Sequence, residues 1–199
     1  MTDAADRIAK LSPEKRALLM QRLKQKGDGA QTPALTRRPN PDEYPLSFAQ
    51  QRLWFLDQLE PGSPFYNIAA ALRLSGPLDV AALQRALAEV ARRHEVLRAR
   101  FITEQGYPVQ VIAPELALPL TVTDLQDRPA AEREAEALRL ADEEARRPFD
   151  LAHGPLVRAG LVRIDATTHL LLLTLHHIVS DGWSVQVLVQ ELAALYTAH

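Results

Sequence analysis

Two adjacent histidines, followed four residues later by an aspartate, lie in Leu175-His176-His177-Ile178-Val179-Ser180-Asp181-Gly182-Trp183-Ser184. These residue types suit proton-transfer chemistry, because an imidazole titrates near neutral pH and can take a proton from a nucleophile. The apolar run before the pair reads as a strand, and strand side chains alternate between faces. His177 then shares the face of Leu171, Leu173 and Leu175, while His176 points the opposite way. The two histidines cannot share one task. A tight turn through Ser180, Asp181 and Gly182 leads into a helix starting near Ser184. A strand–turn–helix of this kind presents a side chain and backbone N–H groups at a sheet edge, where sites are often built.

Plainer readings compete for the same residues. A histidine at a strand end is more often a hydrogen-bonded structural residue than a catalytic one. Asp181 suits a turn or an N-cap equally well, and Trp183 suits a core. A metal pair of His177 and Asp181 would need helical spacing, which the strand before and Gly182 after oppose, and a third ligand from elsewhere. No metal is expected. The chain has no cysteine, which excludes thiolate nucleophiles, disulfides and Cys-ligated zinc or iron–sulfur sites.

The elements that must position this segment can be read from capping and periodicity. Ser12 caps, and Pro13 and Glu14 open, a short helix with an apolar stripe of Leu18, Leu19 and Leu23, stopped by Gly27 and Gly29. Residues 30–45 carry Pro33, Pro39, Pro41 and Pro45 with few large apolar side chains, which is linker composition. Ser47 opens a helix running to Leu59, closed by Pro61-Gly62. Asn67 to Leu74 reads as a strand, and Asp79 caps a helix with Val80, Leu83, Leu87 and Val90 on one face. Val96 to Ile102 and Pro108 to Ile112 read as a hairpin around Glu104-Gln105-Gly106, and Leu118 to Val122 as a further strand. A charged helix covers Arg128 to Arg147. Strands at Leu156–Ile164 and His169–Ile178 follow, then a last helix with Val185, Leu188, Val189, Leu192 and Leu195. Strands and helices mix without regular alternation, so the expected fold class is α/β in the broad sense, a mixed α+β sheet with flanking helices.

Composition narrows the function classes. Apolar residues at 47% and charged residues at 24% exclude wholesale disorder. The net charge of −2 argues against a nucleic-acid binder. The longest apolar run, Leu170 to Leu173, is far short of the ~18 residues of a membrane span, and the N-terminus lacks the apolar core of a signal peptide. A cytoplasmic location is expected.

HHIVSDG, His176 to Gly182, resembles the HHxxxDG signature of condensation domains of nonribosomal peptide synthetases, in the chloramphenicol-acetyltransferase-like superfamily. Two more stretches carry the resemblance. LSFAQQRLWFLDQL, Leu46 to Leu59, is similar to the family's SxAQxRLWFL motif. RRHEVLRARF, Arg92 to Phe101, is similar to its RHExLRTxF motif, with Ala99 where Thr is usual. The three stand in the family's order, and the later motifs of a second lobe are absent. The resemblance implies the N-terminal lobe of a chloramphenicol-acetyltransferase-like fold over 46–199, preceded by a helix (1–29) and a Pro-rich linker (30–45). The paired histidines disfavour heterocyclization relatives, and the Asp181 to Ser184 ending looks most like domains accepting an L-configured donor.

The resemblance also implies an activity and a set of roles. Two thioesters on carrier proteins would meet in a tunnel between lobes, where the acceptor amine attacks the donor carbonyl. His177 would orient that amine and accept its proton, with His176 as scaffold. Asp181 would form a structural salt bridge to Arg93 or Arg98, supported by Trp183 and Ser184, and Gly182 would admit a substrate backbone. No cofactor binds directly; phosphopantetheine arms of the carriers bring the substrates. The implied partners are donor and acceptor carrier proteins, a C-terminal lobe, an adenylation domain, and an upstream synthetase docked through the N-terminal helix. The exposed lobe face is expected to be apolar around Leu173, Leu175 and the last helix. Two alternatives stay open: a non-catalytic module recruiting carrier proteins, and another acyltransferase sharing the shorter HxxxD.

Overall fold

The computed structural model describes residues 43–198. The expected N-terminal helix and residues 30–42 of the expected linker lie outside the described residues. The elements in order are β1 (Glu43–Pro45), α1 (Phe48–Leu59), β2 (Asn67–Ser75), α2 (Val80–Arg93), β3 (Ala99–Glu104), β4 (Tyr107–Ile112), β5 (Leu120–Asp124), α3 (Ala130–Arg146), β6 (Val157–Arg163), β7 (Thr168–His176) and α4 (Gly182–Ala198). They build a three-stranded sheet ordered β1-β4-β3 and a four-stranded sheet ordered β2-β7-β6-β5. In the larger sheet β5 and β6 run parallel while β2, β7 and β6 pair antiparallel, so the mixed α/β class holds.

β7 organises the larger sheet because it is apolar on both faces. Leu171, Leu173 and Leu175 are 1% exposed and pack with Leu83, Leu87 and Val90 of α2 and Leu188 and Leu192 of α4. Leu170 and Leu172 on the other face join Leu125, Ala137, Val162 and Ile164, with Leu140 of α3 against them. Each such leucine contributes ~1.5–3 kcal/mol on burial, so this strand and its three helices form the stable frame. The expectation of an exposed apolar face around Leu173 and Leu175 is therefore corrected: α4 folds back with α2 and covers it.

A third cluster sits beside the chemistry-bearing segment. Ile178 and Val179 are buried with Leu46, Phe101, Phe149 and Leu156, and Leu53 and Trp54 of α1 lie against them. The turn after β7 is thus plugged into a core rather than left loose.

Local signals explain most element boundaries. Ser47 starts α1 through a capping box with Gln50, whose N–H donates to Ser47 Oγ at 3.3 Å while Oε1 accepts from the Ser47 N–H at 3.0 Å. Asp79 caps α2 by accepting from the Ala82 N–H at 2.9 Å. Gln105 and Gly106, both at positive φ, make the two-residue turn of the β3–β4 hairpin.

Three expectations shift. Residues 43–45 of the expected linker form edge strand β1, where Pro45 is tolerated because no inner ladder needs its N–H. Residues 95–98 form a 3-10 turn, with the Leu97 N–H donating to the His94 carbonyl, which delivers Leu97 into the core before β3 starts at Ala99. β7 stops at His176 rather than Ile178, because the Ile178 N–H turns back to the His176 ring.

Candidate active site

His177 is the first residue past β7, and its ring is exposed. Its backbone N–H donates to the Tyr66 carbonyl at 2.8 Å, tying it to the start of β2. Its Nδ1 lies 2.7 Å from the Ser180 carbonyl oxygen. A carbonyl only accepts, so Nδ1 carries the hydrogen, and in the neutral ring Nε2 holds the free lone pair. Strand parity had placed His177 on the face of Leu171, Leu173 and Leu175. That face is core, and the strand ends one residue too early for parity to govern His177. The expected divergence of the two rings nevertheless stands.

His176 is 3% exposed. Its Nδ1 accepts from the Ile178 N–H at 3.1 Å, and its ring meets Phe149 edge-on at 6.1 Å between centroids. Burial, with a lesser contribution from the neighbouring His177, pushes its pKa down from 6.5 to about 4. A neutral ring in that place accepts a backbone hydrogen bond and shapes the turn. It is scaffold.

The pairing expected for Asp181 is corrected. Arg93 binds Glu89 at 2.8 Å and lies 4.0 Å from Glu191, both away from the turn. Arg98 donates to the carbonyls of Ala113 and Pro114. The exposed Asp181 carboxylate instead accepts from the Ser184 N–H at 2.8 Å and the Ser184 hydroxyl at 2.6 Å, and its carbonyl accepts from the Val185 N–H. The open N–H groups at the start of α4 are within local reach, whereas both arginines are held elsewhere. The two Ser184 hydrogen bonds hold the Asp181 carboxyl below the usual carboxylate range. Asp181 stays ionised and structural, as a helix cap. It fixes the chain direction just after Ser180, whose carbonyl sets the His177 tautomer.

Gly182, Trp183 and Ser184 follow Asp181 in the first turn of α4. A Cβ added at Gly182 would meet nothing within 4 Å, so the space above its backbone is open. Trp183 is 77% exposed rather than core. An open cleft of roughly 590 Å³ is bounded by Ser47, by Gln50 and Leu53 of α1, by Tyr66 and Val96, and by His177 to Asp181 with Ser184. Arg93 and Arg98 do not line it. Among the described residues, no group of three His, Cys, Asp or Glu side chains could hold a metal ion. Sequence reasoning missed Ser180 and Tyr66 because both act through backbone carbonyls, which leave no side-chain signal. Gln50 did carry a signal, as part of the first motif.

An imidazole with Nδ1 tied down thus lies beside a capped helix start and an open cleft. The chain belongs to the condensation domain family, whose model, described as Condensation domain, matches residues 40–199. It is similar to phosphinothricin tripeptide synthetase PhsC of Streptomyces viridochromogenes, 51% identical over 199 residues, which is all of this chain and 18% of that protein. It is likewise similar to chondramide synthase cmdD of Chondromyces crocatus, 49% identical over 160 residues, covering 80% of this chain and 4% of the relative. The chain thus spans under a fifth of the length of these curated relatives. Among solved structures, the starter condensation domain of rhizomide synthetase RzmA matches with a TM-score of 0.73 and 31% identity, over 78% of this chain and 38% of that one. The first condensation domain of the CDA synthetase matches with a TM-score of 0.72 and 30% identity, over 80% and 41%.

Proposed function

We propose that this chain supplies the histidine-bearing lobe of a condensation enzyme that joins two thioester-bound substrates through an amide bond. The observation that carries the reading is His177, exposed in the cleft with Nδ1 bound to the Ser180 carbonyl and Nε2 free. A module that only recruits carrier proteins has no need of a fixed tautomer. In the reaction, the acceptor amine nitrogen attacks the donor thioester carbonyl. The C–N bond forms, the C–S bond breaks, the nitrogen's proton passes to His177 Nε2, and the leaving sulfur takes up a proton.

Magnitudes rank the two contributions of His177. An α-amino group with a pKa of ~7.7–8.0 is already about one-tenth free base at pH 7, so prior deprotonation costs only about 1 kcal/mol. General-base help is worth about 10²–10⁴-fold, while orientation can supply ~7–11 kcal/mol. His177 therefore acts first by holding the amine against the carbonyl and then by accepting its proton.

Residues 46–199 form the N-terminal lobe in this reading, with a C-terminal lobe closing the tunnel and an adenylation domain downstream. Phosphopantetheine arms of donor and acceptor carrier proteins bring the thioesters. The rhizomide synthetase domain, in a variant, has been solved in complex with C8-CoA and Leu-SNAC, which supports two substrates meeting in such a domain. No helix among the described residues is long and apolar enough to cross a membrane, and we place the reaction in the cytoplasm. Mass spectrometry of the acceptor carrier in the intact synthetase, with both carriers loaded, tests the reading. An acceptor mass increased by the donor acyl group is expected. Donor thioester consumed only by hydrolysis would overturn it.

A further inference from the structure

The first motif does more than start a helix. The side-chain oxygen of Gln50 closes the α1 cap by accepting from Ser47, while its nitrogen donates to Gln110 Oε1 of β4 at 3.0 Å and to the Ile178 carbonyl at 3.4 Å. The one amide thus uses its acceptor and both of its hydrogens. Ile178 follows His177 directly. Its N–H is held by His176 Nδ1, so both polar backbone groups of this residue are gripped by side chains from different parts of the chain. Ile178 and Val179 anchor the turn in the core through their side chains. The peptide plane between Ile178 and Val179 is held at both ends: the Val179 N–H donates to the His176 carbonyl at 3.1 Å, and the Ile178 carbonyl accepts from Gln50. That plane leads into Ser180, whose carbonyl takes the His177 Nδ1–H.

A cap needs only the acceptor, and glutamate serves a capping box as well as glutamine. The amide nitrogen of Gln50 is surplus to capping. It is spent on the turn that carries the histidine. We infer that Gln50 is a positioning residue for His177, holding the Ile178 carbonyl so that Nε2 faces the cleft, with Gln110 aiming its nitrogen. The inference rests on the proposed condensation chemistry.

Gln50→Glu separates the two jobs, since it keeps the acceptor for Ser47 and loses both donations. Gln110→Met leaves the cap and the histidine turn untouched and removes only the aiming bond. Both variants are made in the intact synthetase beside wild type and His177→Ala, and amide formation is followed with thermal melting as the structural control. Because a displacement near 1 Å can cost about 10²-fold, Gln50→Glu should lower kcat at least about tenfold, with acceptor KM within about twofold and the melting temperature near that of wild type. Gln110→Met should lower kcat in the same direction by less. Wild-type kcat in Gln50→Glu, with His177→Ala inactive, would overturn this inference and leave the condensation reading standing. No amide product from wild type would take down both. If Gln50→Glu does not fold, Gln110→Met decides: a reduced kcat supports the inference, and an unchanged one overturns it.

Discussion

Acid should loosen this protein through His176 before it reaches the carboxylates. The ring is 3% exposed and its Nδ1 accepts the Ile178 N–H, so protonation would set a donor against a donor inside the core. The folded-state pKa of about 4 lies below the ordinary 6.5, so between those values the unfolded chain binds the extra proton. Stability contributed by the neutral ring is therefore complete above pH 6.5 and falls as the pH drops, levelling off below 4. The separation of the two values corresponds to about 3 kcal/mol in total, of which about 2 kcal/mol is already lost at pH 5. Carboxylates held below their usual range, such as Asp181 and Asp150, act in the same sense but at lower pH. Buried His169, also pushed down by burial, adds in the same direction. The control is His176→Asn, whose amide oxygen can still accept the Ile178 N–H but does not titrate. Urea unfolding of the chain and the variant from pH 8 to pH 4.5 measures the difference. The wild-type curve should fall toward the variant's by about 2 kcal/mol near pH 5. Parallel curves would refute the buried, neutral assignment of His176.

Three further outcomes follow from the geometry. Asp181→Ala removes the α4 cap and its two bonds to Ser184, so the melting temperature should drop by a few degrees and kcat should fall with it; calorimetry and the condensation assay check this, and an unchanged melting temperature would contradict the capping role. Gly182→Ala meets no atom within 4 Å and should melt like wild type, yet raise acceptor KM if a substrate backbone passes there; an unchanged KM would remove Gly182 from the site. The 199-residue chain, given both loaded carriers, should form no amide until a second lobe is added, because it spans only 38–41% of the solved condensation-domain chains and one wall cannot orient two substrates. Product from the chain alone at the rate of the complete domain would contradict the two-walled mechanism.

Features governed by near neighbours were legible in the sequence. The Ser47 and Asp79 caps and the Gln105-Gly106 turn depend on residues within three or four positions, and each stands where periodicity put it. The motif that carries His176, His177 and Asp181 was legible for the same reason. Non-local facts were not. Nothing in Leu120 to Asp124 says that it runs parallel to β6 beyond the intervening α3. Nothing in Leu173 and Leu175 says that α4 returns to cover them. The partner of Asp181 shows the opposite error, where a distant arginine was expected and a helix N-terminus three residues away took the bonds. The exposure of His177 depended on one residue of strand length, which periodicity does not resolve.

The central claim is that His177 Nε2 holds and deprotonates the attacking amine. Single-turnover amide formation in the intact synthetase, wild type against His177→Ala at saturating loaded carriers, tests it most directly. The account predicts a loss of at least about 10²-fold in the variant, with thermal stability within about 1–2 kcal/mol of wild type. A variant that folds and turns over at the wild-type rate would contradict it.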